Sequence, residues 1–76
     1  MDDLLAWIAR GLVDEPDAVR VERVDGGDHV VLRLSVAPDD VGKVIGRQGR
    51  VARALRTVVR SAGARSDRRL SLEIAD

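Results

Sequence analysis

The first apolar positions of the chain repeat at the spacing of an amphipathic helix. They predict a helix over residues 3–13. Asp2 or Asp3 is expected to cap its first turn, and Pro16 lacks the amide hydrogen that continuation would need. Gly11 weakens the helix and is expected to mark a point of close packing. The apolar face comprises Leu5, Ile8, Ala9 and Leu12, with Leu4 and Trp7 beside it.

Two runs in which apolar and polar residues alternate follow this helix. Val19 and Val21 belong to the first run, and the second covers residues 30–36. A period of two is typical of half-buried strands. Segment 25–28, Asp-Gly-Gly-Asp, predicts a hairpin turn between them, because glycine supplies the positive φ that such turns need. His29, the sole histidine, is expected to be an ordinary surface side chain, with a ligand or base role as the alternative.

Helical spacing returns in the second half of the chain. Segment 37–40, Ala-Pro-Asp-Asp, predicts the start of a short helix over residues 41–45. A longer helix is expected over residues 50–62, and Gly63 is expected to end it in the left-handed conformation. After a polar loop, alternating apolar residues in segment 70–74 predict a third strand. The apolar face of the longer helix comprises Val51, Ala52, Leu55, Val58, Val59 and Ala62.

These elements follow the order α-β-β-α-α-β. A sheet with one apolar face needs a covering layer, so the pattern predicts a two-layer α/β (α+β) sandwich. The 76 residues leave room for one domain, which we place at residues 1–76. The chain has no cysteine, which excludes disulfides and thiolate metal sites, and no apolar run approaches the length of a membrane span. We therefore expect a cytoplasmic protein that uses no membrane, metal or cofactor.

The formal net charge of zero hides two oppositely charged halves. Residues 1–40 carry ten acids and four arginines, a net of −6, whereas residues 41–76 carry nine basic residues and three acids, a net of +6. Arg53, Arg56 and Arg60 line one side of the longer helix. A strongly basic half is a pointer to polyanion binding, and a solvated basic face without a ligand is the alternative.

Three glycines fall within segment 42–49, Gly-Lys-Val-Ile-Gly-Arg-Gln-Gly. A Walker phosphate loop would need Lys followed by Ser or Thr after its last glycine, and a Rossmann fingerprint would need G-x-G-x-x-G directly after a strand. Here the spacing is G-x-x-x-G-x-x-G between two predicted helices. The segment therefore predicts a helix–GxxG–helix element, with the GxxG at residues 46–49.

This element has the features of a site for a nucleic-acid backbone. Glycines without Cβ atoms let a sugar-phosphate chain approach the peptide groups, and the helix that begins near Arg50 directs free N–H groups toward the loop. Val44, Ile45 and Leu34 are expected to form an apolar wall for the bases. The candidate RNA-binding residues are Lys43, Val44, Ile45, Gly46, Arg47, Gln48, Gly49, Arg50 and Arg53.

Segment 44–50, Val-Ile-Gly-Arg-Gln-Gly-Arg, between two short helices resembles the GxxG loop of a KH domain. Two strands before the loop and one after it resemble the bacterial, type II topology. Leu-Val-Asp-Glu-Pro-Asp at 12–17, Val-Ala-Pro-Asp-Asp-Val-Gly-Lys at 36–43 and Ala-Leu-Arg-Thr-Val-Val-Arg at 54–60 extend the resemblance to small stand-alone bacterial KH proteins of the KhpA type. It implies an RNA chaperone for single-stranded RNA. It also implies a homodimer or a heterodimer with a larger KH protein, and a link to cell shape and cell-wall homeostasis.

Several alternatives to RNA binding at the loop stay open. The GxxG could be a tight turn without a ligand, or the chain could be a dimerisation module that binds RNA only in the assembled complex. The small core and the opposite charges of the halves favour the second. An enzyme is not expected, because the sequence has no nucleophile–base pair and no metal-ligand spacing. Trp7, the only aromatic residue, is expected to anchor the core or its edge, with base stacking as the alternative.

Overall fold

The computed structural model of the chain describes residues 1–65 and 68–75. In these ranges the elements are α1 at Asp2–Leu12, β1 at Arg20–Asp25, β2 at His29–Ser35, α2 at Val41–Ile45, α3 at Arg50–Arg65 and β3 at Arg69–Ile74. The predicted order α-β-β-α-α-β is therefore confirmed. The polar loop expected before β3 falls partly on residues 66 and 67, which lie outside the described residues. None of the described helices is long and apolar enough to cross a membrane.

The three strands form one mixed sheet with the order β1-β2-β3. β1 and β2 run antiparallel, with Val21 opposite Leu34, and β2 and β3 run parallel, with Leu34 opposite Ile74. The hairpin turn between β1 and β2 is confirmed, with Gly27 at a φ of 91°. The parallel pair is possible because α2 and α3 form the long connection between β2 and β3.

The helices cover one face of the sheet, and the core lies between the two layers. Successive side chains of a strand point to opposite faces, so Val30, Leu32 and Leu34 of β2 are fully buried whereas His29 is exposed. The predicted two-layer sandwich is therefore confirmed. The helices and the other strands contribute Leu5, Ala9, Val19, Val44, Leu55, Val59 and Leu72 to the core.

The ends of α1 differ from the sequence prediction. No side chain caps its first turn. Asp2 instead accepts a hydrogen bond from the guanidinium group of Arg23 on β1, at 3.0 Å, so the expected aspartate cap is wrong. The helix ends at Leu12 because Val13 is already extended, with φ −106° and ψ 162°. Pro16 begins a separate 3₁₀ turn that leads into β1.

Two helical glycines have roles other than those expected. α3 continues through Gly63 to Arg65, so the prediction of a left-handed helix end at Gly63 is wrong. A Cβ atom there would lie 2.7 Å from the carbonyl oxygen of Arg68 and 2.8 Å from the amide nitrogen of Leu70. Gly63 therefore lets the backbone at the start of β3 approach α3. Gly11 has no atom within 4 Å of its Cβ position, so the close packing expected there is wrong.

Candidate nucleic-acid interface

The GxxG loop at residues 46–49 joins α2 to α3 through a tight turn. The amide of Gly46 donates to the carbonyl oxygen of Gly42 at 2.8 Å, and the amide of Gly49 donates to that of Gly46 at 3.1 Å. Gly46 and Gly49 have φ values of 76° and 75°. Residues with side chains rarely adopt these values, so the backbone of the turn requires both glycines.

Packing gives Gly46 a second requirement that Gly49 does not share. A Cβ atom at Gly46 would lie 2.5 Å from Cγ2 of Val51 and 2.9 Å from its amide nitrogen. Since Val51 belongs to the first turn of α3, the loop lies directly against the start of that helix. Nothing lies within 4 Å of the Cβ position of Gly49. The second glycine therefore leaves open space on which another molecule can lie.

Arg47 and Gln48 form the exposed tip of the loop. Gln48 has a φ of 57°, which no other non-glycine residue in the described ranges matches with a positive value. This left-handed conformation costs an ordinary residue about 1 kcal/mol or more. Neither side chain has a hydrogen-bond partner within the part of the chain that the structure describes. Both side chains are therefore available to a ligand.

The basic residues divide into a paired group and an unpaired group. The paired group, Lys43, Arg23, Arg33 and Arg68, forms ion pairs with carboxylates. The unpaired group, for which the described residues offer no acidic partner, includes Arg47, Arg50, Arg53, Arg56 and Arg60. An unpaired guanidinium keeps its donors free for an oxyanion. The structure therefore concentrates uncompensated positive charge on the loop and on α3.

Lys43 differs from these arginines because its charge is already compensated. Its ammonium group donates to Oδ2 of Asp14 at 2.5 Å and to Oδ1 of Asp40 at 3.2 Å. The hydrogen bond to Asp14, and then that to Asp40, raise the pKa of Lys43 above its usual value. The sequence analysis missed this network, and the i,i+3 spacing of Asp40 and Lys43 was the one signal for it.

Asp40 is a buried carboxylate at the start of α2, with 1% of its surface exposed. Its burial opposes ionisation, but the backbone N–H groups of Glu15 and Asp14 and the ammonium of Lys43 outweigh that effect. Together they hold the pKa of Asp40 below its ordinary value of 3.8. Asp40 therefore fastens the segment after α1 to the helix that carries the GxxG loop.

The apolar side chains around the loop are less accessible than expected. Val44 and Leu34 are completely buried core residues. The expectation that they offer an apolar wall to bases is therefore wrong, because a buried side chain has no surface for a ligand. Ile45 is half-buried and is the member of the predicted wall that keeps accessible surface.

Trp7 and His29 both lie on the surface. Trp7 is 71% exposed on α1, so the expectation that it anchors the core or its edge is wrong. His29 is exposed, and its Nε2 lies 3.0 Å from Oγ of Ser71 on the neighbouring strand. Within the described ranges, no group of His, Asp and Glu side chains could hold a metal ion. The structure therefore brings no catalytic or metal-binding arrangement around this histidine.

Comparison with known proteins identifies the family to which this fold and loop belong. A family model described as the KH domain of KhpA/KhpB matches residues 2–74. The chain belongs to this KH-domain family. It is 53% identical to an RNA-binding protein KhpA of Halalkalibacterium halodurans over 76 residues, 100% of both chains. It is 47% identical to that of Bacillus subtilis over 76 residues, 100% of this chain and 94% of the relative. The predicted KH family is therefore confirmed.

A solved structure shows the same KH fold within a larger protein. It is a crystal structure of Era from Aquifex aeolicus with GDP and an aluminium fluoride group, and its TM-score to this chain is 0.63. The match covers 96% of this chain and 28% of the Era chain, at 16% sequence identity. At that identity the similarity supports the fold alone.

Proposed function

We propose that this chain binds single-stranded RNA through the sugar-phosphate backbone, at the GxxG loop and along α3. The observation that carries the proposal is the unpaired group of arginines, which begins at the loop tip and continues along the helix. The names of the relatives, RNA-binding proteins, support RNA as the polyanion. KH loops of this kind hold about four nucleotides.

A phosphate at the loop would meet three kinds of donor. The first amides of α3 have no acceptor within the helix and lie at the positive end of its dipole. Arg47 and Arg50 supply charge, Gln48 supplies an amide, and Gly49 leaves room for close approach. Because these contacts address the backbone, the binding has low sequence specificity. Arg53 would meet the next phosphate, one helical turn further.

Three of the candidate residues have indirect or minor roles in this proposal. Val44 holds α2 on the core, and Lys43 holds the start of α2 through its two carboxylate partners. Gly46 permits the turn. Ile45 offers a limited apolar surface to one base or ribose.

The direct test is the double variant Arg47→Asp and Gln48→Asp. It retains both glycines, and aspartate tolerates the left-handed conformation at position 48. Surface substitutions usually change the free energy of unfolding by no more than about 0.5 kcal/mol. We expect an unchanged circular dichroism spectrum, a Tm shifted by a few degrees, and near-complete loss of RNA binding, measured by fluorescence anisotropy with a labelled oligonucleotide at moderate salt.

Arg65→Asp is the matched control, since it reverses a charge at the opposite end of α3, about 22 Å away along the helix. This control should bind RNA nearly as well as the unmodified chain. If the folded double variant retained full RNA affinity, the GxxG loop would be only a turn between helices.

A second candidate function, dimerisation, is favoured by an apolar surface outside the loop. Leu4 and Trp7 on α1 are 47% and 71% exposed, and Val58 on α3 is 39% exposed. Met1, Leu4 and Val58 line a groove of about 420 Å³ between the two helices. A protruding Trp7 beside an apolar groove is the self-complementary arrangement that a two-fold dimer requires. We propose a second copy of this chain as the occupant.

Family resemblance supports the remaining parts of the proposal. They are a cytoplasmic location, an RNA chaperone role without catalysis, pairing with a larger KH protein as an alternative to self-pairing, and a link to cell shape and cell-wall homeostasis. The chaperone role predicts faster annealing of two complementary RNA strands in the presence of the chain. Two fluorophore-labelled strands, mixed with and without the protein, measure this directly.

A further inference from the structure

A second basic site lies at the end of α3 remote from the GxxG loop. There a groove of about 440 Å³ opens between α3 and the first residues of β2 and β3. Arg60 of α3 lies on one side of it, and Arg69 and His29 lie on the other. Leu70 and Ser71 contribute to the same lining. The groove is thus formed by three elements that only the tertiary fold brings together.

The charges in this groove are uncompensated. Within the described ranges its lining contains no carboxylate, and neither Arg60 nor Arg69 has an acidic partner. Arg68, which also lines it, donates instead to Oδ1 of Asp25 at 2.6 Å and to the carbonyl oxygen of Gly27 at 2.7 Å. Arg68 therefore stabilises the hairpin turn and leaves the ligand contacts to its two neighbours.

The groove is continuous with the basic side of α3. Arg53, Arg56 and Arg60 are spaced three and four residues apart, so they lie on one side of the helix. Arg60 is both the last of this series and a wall of the groove. Along the helix axis it lies about 15 Å beyond Arg50, at the loop. A single strand held at the loop can therefore follow the arginines to this groove.

We propose that this groove is a second phosphate site for the same RNA strand, beyond the nucleotides that the GxxG loop holds. Arg60 and Arg69 would bind one or two phosphates, and Leu70 offers an apolar contact to a ribose or base. The proposal rests on RNA binding at the loop and extends it, since it predicts that longer strands bind more tightly.

The test compares oligonucleotides of about four and about ten nucleotides of the same composition. The variant is Arg60→Gln with Arg69→Gln, and the matched control is Arg10→Gln with Arg65→Gln, which removes two exposed, unpaired arginines elsewhere. For the longer strand we expect the variant to reduce the slope of log K against log salt by about 0.7 per lost phosphate contact. Its affinity for the short strand should equal that of the unmodified chain, and the control should keep the full slope.

An unchanged slope for the longer strand would overturn the proposal, as would an equal loss for both lengths. Equal affinity of the unmodified chain for the two lengths would also overturn it while leaving the loop site intact. Failure of the unmodified chain to bind either oligonucleotide would contradict the proposed function itself.

Discussion

The Asp40 carboxylate accepts a hydrogen bond from the backbone N–H of Glu15 at 3.1 Å, across 25 residues of sequence. The same carboxylate accepts a hydrogen bond from Lys43. It therefore connects the end of α1, through the segment that follows it, to the short helix from which the GxxG loop begins. A helix of five residues is too short to be stable by itself, so this connection and the burial of Val44 hold it in place.

Asp40→Asn is expected to destabilise the fold in a pH-dependent way. The folded pKa of Asp40 lies below 3.8, so its charged form stabilises the fold above that pH, and the contribution is lost as the pH falls through the folded pKa. The Tm of the variant should therefore be clearly lower at pH 7, and the difference should shrink below pH 3.8. Asp39→Asn, at the exposed neighbouring position, is the control and should change the Tm little at either pH. A constant difference across this range would contradict the assignment.

Alanine at the two helical glycines should change stability in opposite directions. Gly63→Ala places a methyl group against the backbone of β3, and overpacking of this kind typically costs about 1–3 kcal/mol. Gly11→Ala meets no neighbouring atom and should stabilise α1 by up to about 1 kcal/mol. For a domain of this size, 1 kcal/mol corresponds to about 4–8 °C in Tm, which thermal unfolding resolves. Equal shifts in one direction would show that the contact at Gly63 is not restrictive.

Replacement of the three arginines on the side of α3 should weaken RNA binding through electrostatics alone. In Arg53→Gln, Arg56→Gln and Arg60→Gln, each lost phosphate contact should reduce the slope of log K against log salt by about 0.7. The fold should be unaffected, since none of the three side chains has an internal partner within the described chain. Lys43→Gln is the informative comparison: it removes a compensated charge, so it should lower the Tm more than the salt slope. An unchanged slope in the triple variant would assign these arginines to solubility or to a protein partner.

The apolar surface of α1 predicts a concentration-dependent dimer. Leu4→Ala with Trp7→Ala should shift the chain to the monomer in size-exclusion chromatography with light scattering, with little change in Tm, because both side chains are already exposed. Trp7 is the only aromatic residue, so its fluorescence reports directly on burial at the interface. Val24→Ala removes a comparably exposed side chain on β1 and should leave the dimer intact. A strictly monomeric unmodified chain, or a variant that still dimerises, would exclude this surface.

The order of the elements and the place of the loop follow from local patterns. Alternation in residues 30–36 and the spacing of apolar residues in 50–62 reflect one-sided burial, which is periodic along the chain. Glycines 46 and 49 announce a turn with positive φ because few other residues adopt it, and the structure has both in that conformation. The family resemblance, carried by segment 44–50, depends on the same contiguous residues.

Only the tertiary structure decided which charges and which apolar side chains are accessible. Lys43 and Arg47 look alike in the sequence, yet the fold brings Asp14 and Asp40 to the first and no carboxylate to the second. Trp7 lies on the exposed side of α1, because the helix buries Leu5 and Ala9 against the sheet. Gly63 was predicted to end a helix, but a strand that begins six residues later requires it inside one. Pairing and exposure depend on residues distant in sequence, and local periodicity carries no information about those distances.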